Sequence, residues 1–285
     1  MRPMSGSNAY HLGRAPTADL SQRGKLKVER QGPVLTICLS SQETRNSLDA
    51  QMLEELGDAV AQAEANKSVR AVFLTAQGPA FCSGANIKHM PQGTDPWQVH
   101  RNARGLGRTL MPLMWLDKPV VVGVNGPAVG SGMGLALSGD LMLAGESASF
   151  TAGWFRLGAM PDIGIMYNLP RLIGMARTKN FLFGGGTLSA AEAADLGLVL
   201  RIVPDRQLKD EGFNEAMRLA EGPAEVMGLA KALLARTFET HMTDMLAFEG
   251  FGQAMAMSNP EFKEGLAAAC EKRQPDFVRA ASKYF

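Results

Sequence analysis

The stretch that most restricts how this chain can fold is 118–140, where KPVVVGVN runs straight into GPAVGSGMGLALSGD. A short run of β-branched, uninterrupted apolar residues reads as a strand buried on both faces. The glycine-rich segment behind it reads as a turn feeding a helix whose first turn is nearly all glycine and small residues. Residues of that size let a ligand approach the backbone, and a helix start leaves amides without partners. A dinucleotide loop is the rival for this segment, but Gly130-Ser131-Gly132-Met133-Gly134 lacks the GxGxxG spacing, and no acidic ribose partner follows at a matching distance.

The alternation of strand and helix recurs on both sides of this stretch. LKVER and VLTICLS flank Gln31-Gly32-Pro33, a hairpin signal. Asp49 is placed to cap a helix in which Met52, Leu53, Leu56, Val60 and Ala63 share one face. Residues 69–75 form a buried strand stopped by Gln77-Gly78-Pro79, and 96–116 is broadly helical despite Pro112. Short strands follow at 141–144 and 148–150, then a helix at 176–183. Ser189-Ala190-Ala191-Glu192 is a capping box, its helix ends near Gly197, and 198–203 is a last strand. The fold class is therefore α/β, with helices covering a sheet in repeated ββα units. From Asp205 the strand pattern stops and three or four amphipathic helices are expected. The implied division is a poorly ordered tail at 1–24, a ββα core at 25–204 and a helical region at 205–285.

Composition narrows the function. With 46% hydrophobic and 20% charged residues, 285 residues bury a full core, and a net charge of +1 without a dense basic run excludes a nucleic-acid surface or an anionic membrane as the main partner. No apolar run is long enough to span a bilayer or serve as a signal-peptide core. Cys38, Cys82 and Cys270 lie in apolar sequence and read as reduced core thiols of a cytoplasmic protein. No metal-ligand spacing is present.

One carboxylate stands out. In 149–174, SFTAGWFRLGAMPDIGIMYNLPRLIG, Asp162 is the single acid in a run of glycines, aromatics and aliphatics. Pro161-Asp162 before an apolar run is a fair helix start, so a capping role and a catalytic role are both open. If Trp154, Phe155, Ile163 and Ile165 enclose this acid, desolvation raises its pKa and suits it to carry protons near neutrality.

Three windows taken together resemble the crotonase superfamily, the enoyl-CoA hydratase/isomerase family. FCSGANIKHM is similar to its F-C-A-G-A-D-I-K-E-M motif with Asn86 for the usual Asp. GVNGPAVGSGMGLALSGD is similar to its N-G-x-A-x-G-G-G-x-x-L-A-x-x-x-D segment, and CEKRQPDF to its closing F-x-E-K-R-x-P-x-F. The resemblance implies a crotonase-like spiral of ββα units with a C-terminal helical trimerisation region, assembled as a homotrimer or homohexamer. It implies an acyl-CoA thioester substrate, with coenzyme A as part of the substrate and no other cofactor. It places the two amides that bind the thioester oxygen at Ala85 and Ser131, and substrate contacts at Ser83, Ile87, Lys88, Gly130 and Trp154. Two preorganised amides stabilise an enolate by about 3 kcal/mol each.

The hydratases of this family resemble a two-glutamate pattern, whose positions here hold Gly134 and Trp154. Neither transfers a proton. GAMPDIGIMYNLPRLIGMAR is similar instead to the segment of the family's isomerases, where one Asp or Glu at the position of Asp162 shuttles the proton. Trp154 and Asp162 also match a Trp/Asp pair in 4-chlorobenzoyl-CoA dehalogenases, whose water-activating histidine falls here on Gly107, with His100 two turns earlier. The expected activity is isomerisation of an enoyl-CoA. A hydratase-like or dehalogenase-like hydrolase and a non-catalytic acyl-CoA binder are the alternatives. The acyl pocket is expected around 90–104.

Overall fold

The computed structural model describes residues 24–87 and 95–282, leaving aside the side chains of 102, 103 and 106–109. The expected N-terminal tail lies outside the described residues apart from Gly24, as do Lys88 and His89.

The chain opens as a hairpin, β1 (Leu26–Gln31) and β2 (Val34–Leu39), paired antiparallel. Helix α1 (Ala50–Ala65) begins at Asp49, whose carboxylate accepts from the Met52 amide at 3.0 Å and pairs with Lys25. Then follow β3 (Ala71–Ala76), α2 (Pro96–Met114), β4 (Val120–Val124), β5 (Pro127–Val129) and α3 (Ser131–Ala136). The next stretch holds β6 (Leu141–Gly145), β7 (Ser149–Thr151), α4 (Ile165–Ile173), α5 (Met175–Gly184), β8 (Thr187–Ser189), α6 (Ala190–Asp195) and β9 (Arg201–Val203). The capping box at Ser189 and Glu192 is formed as expected.

Two sheets organise these elements. The larger has six strands in the order β1-β2-β3-β4-β6-β9, parallel except for the first pair; the smaller has the order β5-β7-β8. Alternation along the large sheet sorts its side chains. Ala71, Phe73, Val121 and Leu143 join one core layer, while Val72, Leu74, Val120, Val122 and Ala144 join the other. A sheet with both faces covered requires this near-continuous apolar sequence.

The path is a spiral, because each turn supplies one strand to each sheet. The large sheet takes β2, β3, β4 and β6, and the small side takes Leu48, the segment 82–85, β5 and β7. Single bridges Leu48↔Ala85 and Cys82↔Ala128 extend the small sheet across the turns. This is the ββα architecture expected from the sequence, with two additions: β5 lies where the pattern predicts a turn, and no strand pattern marks β8.

Beyond β9 the described residues form five helices rather than three or four: α7 (Leu208–Ala220), α8 (Ala224–Leu234), α9 (Met242–Ser258), α10 (Pro260–Glu271) and α11 (Phe277–Ser282). The first packs on β2, β3, β4 and β6 and closes the Phe73 layer of the core. The expectation of three core thiols is corrected at Cys270, which is exposed on α10, while Cys38 and Cys82 are buried.

Arg70 bolts the helices to the sheet. Its guanidinium donates to the carbonyls of Ala220 at 2.7 Å and Gly222 at 2.8 Å, and to Glu261 at 2.5 Å; both side chains of this ion pair are buried. Removing one partner leaves the other charge buried and uncompensated. Arg70→Met is expected to cost about 3–5 kcal/mol in urea unfolding. The double replacement Arg70→Met/Glu261→Leu is expected to recover most of that loss.

Candidate active site

Three consecutive turns of the spiral run side by side at Cys82, Ala128 and Phe150, which pair in parallel register. The Val129 amide donates to the Cys82 carbonyl at 2.9 Å, and the Phe81 amide to Pro127 at 3.1 Å. Counting three residues onward from each paired position reaches Ala85, Ser131 and Gly153. Matched register therefore delivers the ends of these segments to one place.

Close packing at Gly84 completes the approach. Its φ is +80°, and a Cβ built on it would lie 2.5 Å from the Val129 carbonyl oxygen and 3.4 Å from the Ser131 nitrogen. Only glycine tolerates both conditions. Among the described residues, neither the Ala85 nor the Ser131 amide finds a main-chain acceptor. Two backbone donors on adjacent segments are thus left for a ligand oxygen.

The loop before Ala85 is held from below by Asn46, which sits fully buried at φ +56°. Its side-chain amide donates to the carbonyls of Gln77 at 3.0 Å and Ala80 at 2.9 Å. Ser83, where a substrate contact is expected, donates its hydroxyl to the Thr44 carbonyl at 3.0 Å and its amide to the Arg45 carbonyl at 3.0 Å. Ile87 is 60% exposed, and Lys88 lies outside the described residues. The 90–104 segment is likewise only partly described.

Asp162 does not cap a helix. The N-cap of α4 is Gly164, and no side chain serves it, which closes the capping role left open by the sequence. The Asp162 side chain turns instead to the first residue of α3. Ser131 Oγ donates to Asp162 Oδ1 at 2.9 Å, and Trp154 Nε1 donates to the same oxygen at 3.1 Å. The apolar enclosure expected for this acid is only half realised: Asp162 is half-buried, Phe155 is 39% exposed, and two hydrogen-bond donors meet the carboxylate. Trp154 is buried, with its ring edge 3.8 Å from where a Cβ on Gly130 would lie. Gly130, at φ +53°, is the N-cap of α3.

The residue after Asp162 is the least expected part of the site. Ile163 adopts φ +51°, which is costly for a β-branched side chain. It is held there against Gly134, where a Cβ would lie 2.9 Å from both the Ile163 Cβ and its carbonyl oxygen.

The geometry thus gathers Ala85, Ser131, Gly130, Trp154 and Asp162, with Ser83 two residues before Ala85 and bonded to the Thr44–Arg45 turn. Sequence reasoning missed the buried role of Asn46, the left-handed backbone of Ile163 and the hydroxyl of Ser131. A serine in place of a motif glycine was a usable signal for the last; nothing in the local pattern marks the other two.

A family model, Enoyl-CoA hydratase/isomerase, matches residues 29–280. The chain belongs to that family. Among curated relatives, the 1,2-epoxyphenylacetyl-CoA isomerase of Escherichia coli K12 is 33% identical, covering 86% of this chain and 95% of its own. A Mycobacterium bovis protein carrying the name enoyl-CoA hydratase echA12 is 36% identical over 88% of this chain and 92% of its own. Among solved structures, an enoyl-CoA hydratase from Bacillus anthracis superposes with a TM-score of 0.83 at 32% identity, covering 88% of this chain and 98% of the other. One from Streptomyces coelicolor gives 0.86 at 29% identity, covering 97% and 99%. Hydratase names predominate among these family members.

Gly84→Ala combines a left-handed backbone with a clash against Val129. It is expected to cost at least about 2 kcal/mol in chemical denaturation. Affinity for acyl-CoA thioesters, measured by calorimetry, is expected to fall with it.

Proposed function

We propose that this chain is an enoyl-CoA isomerase: it binds an unsaturated acyl-CoA thioester and moves the double bond through an enolate, with Asp162 as the single acid/base. The carrying observation is the pairing of one oriented carboxylate with two unpartnered amides on neighbouring segments. In this scheme a 3-enoyl-CoA loses a C2 proton to Asp162. The electron pair passes into the thioester carbonyl, and the oxyanion is met by the amides of Ala85 and Ser131. The proton is returned at C4, and the double bond forms between C2 and C3. Preorganised amides need not reorganise as that charge appears. Coenzyme A enters as part of the substrate.

The packing at Gly134 supports isomerisation over hydration. A hydratase of the two-glutamate kind needs carboxylates to hold and activate water, and Ile163 fills the space that a side chain at 134 would enter. The other glutamate position is Trp154, which supplies a donor to Asp162 and no acid. The likeness to a relative named as an isomerase points the same way.

A dehalogenase-like hydrolase is the second reading, favoured by the 3.1 Å bond between Trp154 and Asp162. It needs a histidine to activate water, and His100 is exposed, set edge-on against Trp97 with ring centroids 6.0 Å apart. Chloride release from 4-chlorobenzoyl-CoA distinguishes it.

Self-association is part of the proposal. Helix α9 buries only Ala256, while Met242, Leu246, Phe251 and Met255 are exposed. A homotrimer or homohexamer covers that face. Among the described residues no helix is long and apolar enough to cross a membrane. Free thiols suit the reducing cytoplasm.

Incubation with a 3-enoyl-CoA is expected to yield the 2-enoyl-CoA, and in deuterated water to place label at C4 of the product. Asp162→Asn is expected to lower turnover by about 10²–10⁴-fold with acyl-CoA affinity retained. Full turnover in that variant overturns the proposal, and absence of both product and exchange in the native enzyme leaves an acyl-CoA binder. Gly134→Glu is expected to yield no 3-hydroxyacyl-CoA, because Ile163 occupies the space.

A further inference from the structure

The proposed reaction uses only the amide of Ser131, which leaves its side chain without a task. That side chain is buried, 5% exposed, and its hydroxyl donates to Asp162 Oδ1 at 2.9 Å. Alanine or glycine would supply the amide equally well, so burying a hydroxyl here needs another reason.

We infer that Ser131 is a positioning residue: its hydroxyl, acting with the Trp154 indole, fixes Asp162 Oδ1 so that Oδ2 alone takes the proton from C2 and returns it to C4. The inference rests on the isomerase reading. Both donors meet the same oxygen, at 2.9 and 3.1 Å. In the carboxylate that oxygen accepts two hydrogen bonds, and in the acid protonated on Oδ2 it remains a carbonyl acceptor. Neither half-reaction therefore breaks a contact or turns the side chain. During the first, the C2–H bond breaks, an O–H bond forms on Oδ2, and the electron pair enters the thioester enolate. During the second, the O–H bond breaks, the C3–C4 π pair forms C4–H, the C1–C2 π pair of the enolate moves to close the C2–C3 double bond, and the thioester carbonyl reforms. Because one residue supplies both the amide and the hydroxyl, the spacing between the oxyanion donor and the base is set by the covalent geometry of Ser131. The strained backbone of Ile163, wedged on Gly134, limits rotation from the other side.

Ser131→Ala and Ser131→Gly both keep the amide and remove the hydroxyl. For each, kcat on a 3-enoyl-CoA is expected to fall about 10-fold or more, since small misplacements of a reacting group are costly. KM and the calorimetric affinity for a saturated acyl-CoA are expected to stay within about twofold, the signature of an interaction used in turnover rather than binding. Asp162→Asn is assayed beside them. If Asp162→Asn loses turnover while both Ser131 variants keep native kcat, the positioning role is overturned and the isomerase stands. Equal losses in kcat and in affinity for the saturated thioester also overturn it, since they mark a merely structural serine. Full turnover in Asp162→Asn brings down the isomerase itself.

Discussion

The site depends on one constraint, the parallel register that locks Cys82 to Ala128 and Ala128 to Phe150 across three turns of the spiral. Each turn enters through a buried strand of the large sheet and leaves through a short stretch beside the small one. A slip of one residue would reverse every side chain on the shifted segment and separate the Ala85 and Ser131 amides. The apolar sorting of β3, β4 and β6 into two core layers opposes such a slip. Core packing thus fixes the distance between two amides that lie far apart along the chain.

Upon that frame, Asp162 is aimed by three separate means. Ser131 and Trp154 grip one carboxylate oxygen, and Ile163 locks the following backbone in a left-handed conformation. Strain of this kind costs on the order of 1–3 kcal/mol and persists only where surrounding structure over-determines it. Here the over-determination is visible, since Ile163 fills the volume vacated by Gly134 and the N-cap of α4 follows one residue later at Gly164. An acid on so constrained a loop keeps its bearing on the amides, which a flexible, solvent-swept carboxylate would lose.

Much of this was legible in the residues because local and tertiary signals agree. Asp49 caps α1, Ser189 and Glu192 form their box, and the hairpin turns at Gly32, each as short-range rules require. Segment β5 was read as a turn because three residues flanked by glycines carry no strand period; it exists only because Cys82 and Phe150 flank it. Asn46 was opaque for a similar reason, since its partners lie more than thirty residues away at Gln77 and Ala80. Ile163 contradicts its own backbone preference, and no pattern in one sequence foretells that. The apolar run around Asp162 suggested a sealed cavity, but hydrophobicity along the chain does not reveal that Ser131 and Trp154 arrive with hydrogen bonds.

Membership in the enoyl-CoA hydratase/isomerase family and the chemistry of this chain are separate questions. The frame offers two amide donors to a thioester oxygen, a feature that hydration, double-bond migration and substitution at an aryl ring could all exploit. What divides these reactions is the set of proton carriers around the acyl carbons. At position 134 the constraint is steric as well as chemical: adding a carboxylate requires moving Ile163, and moving Ile163 disturbs the backbone that holds Asp162. Restoring a second acid is therefore coupled to misplacing the first. That coupling makes the barrier to a second carboxylate at position 134 a property of the loop as a whole, beyond the identity of any one residue.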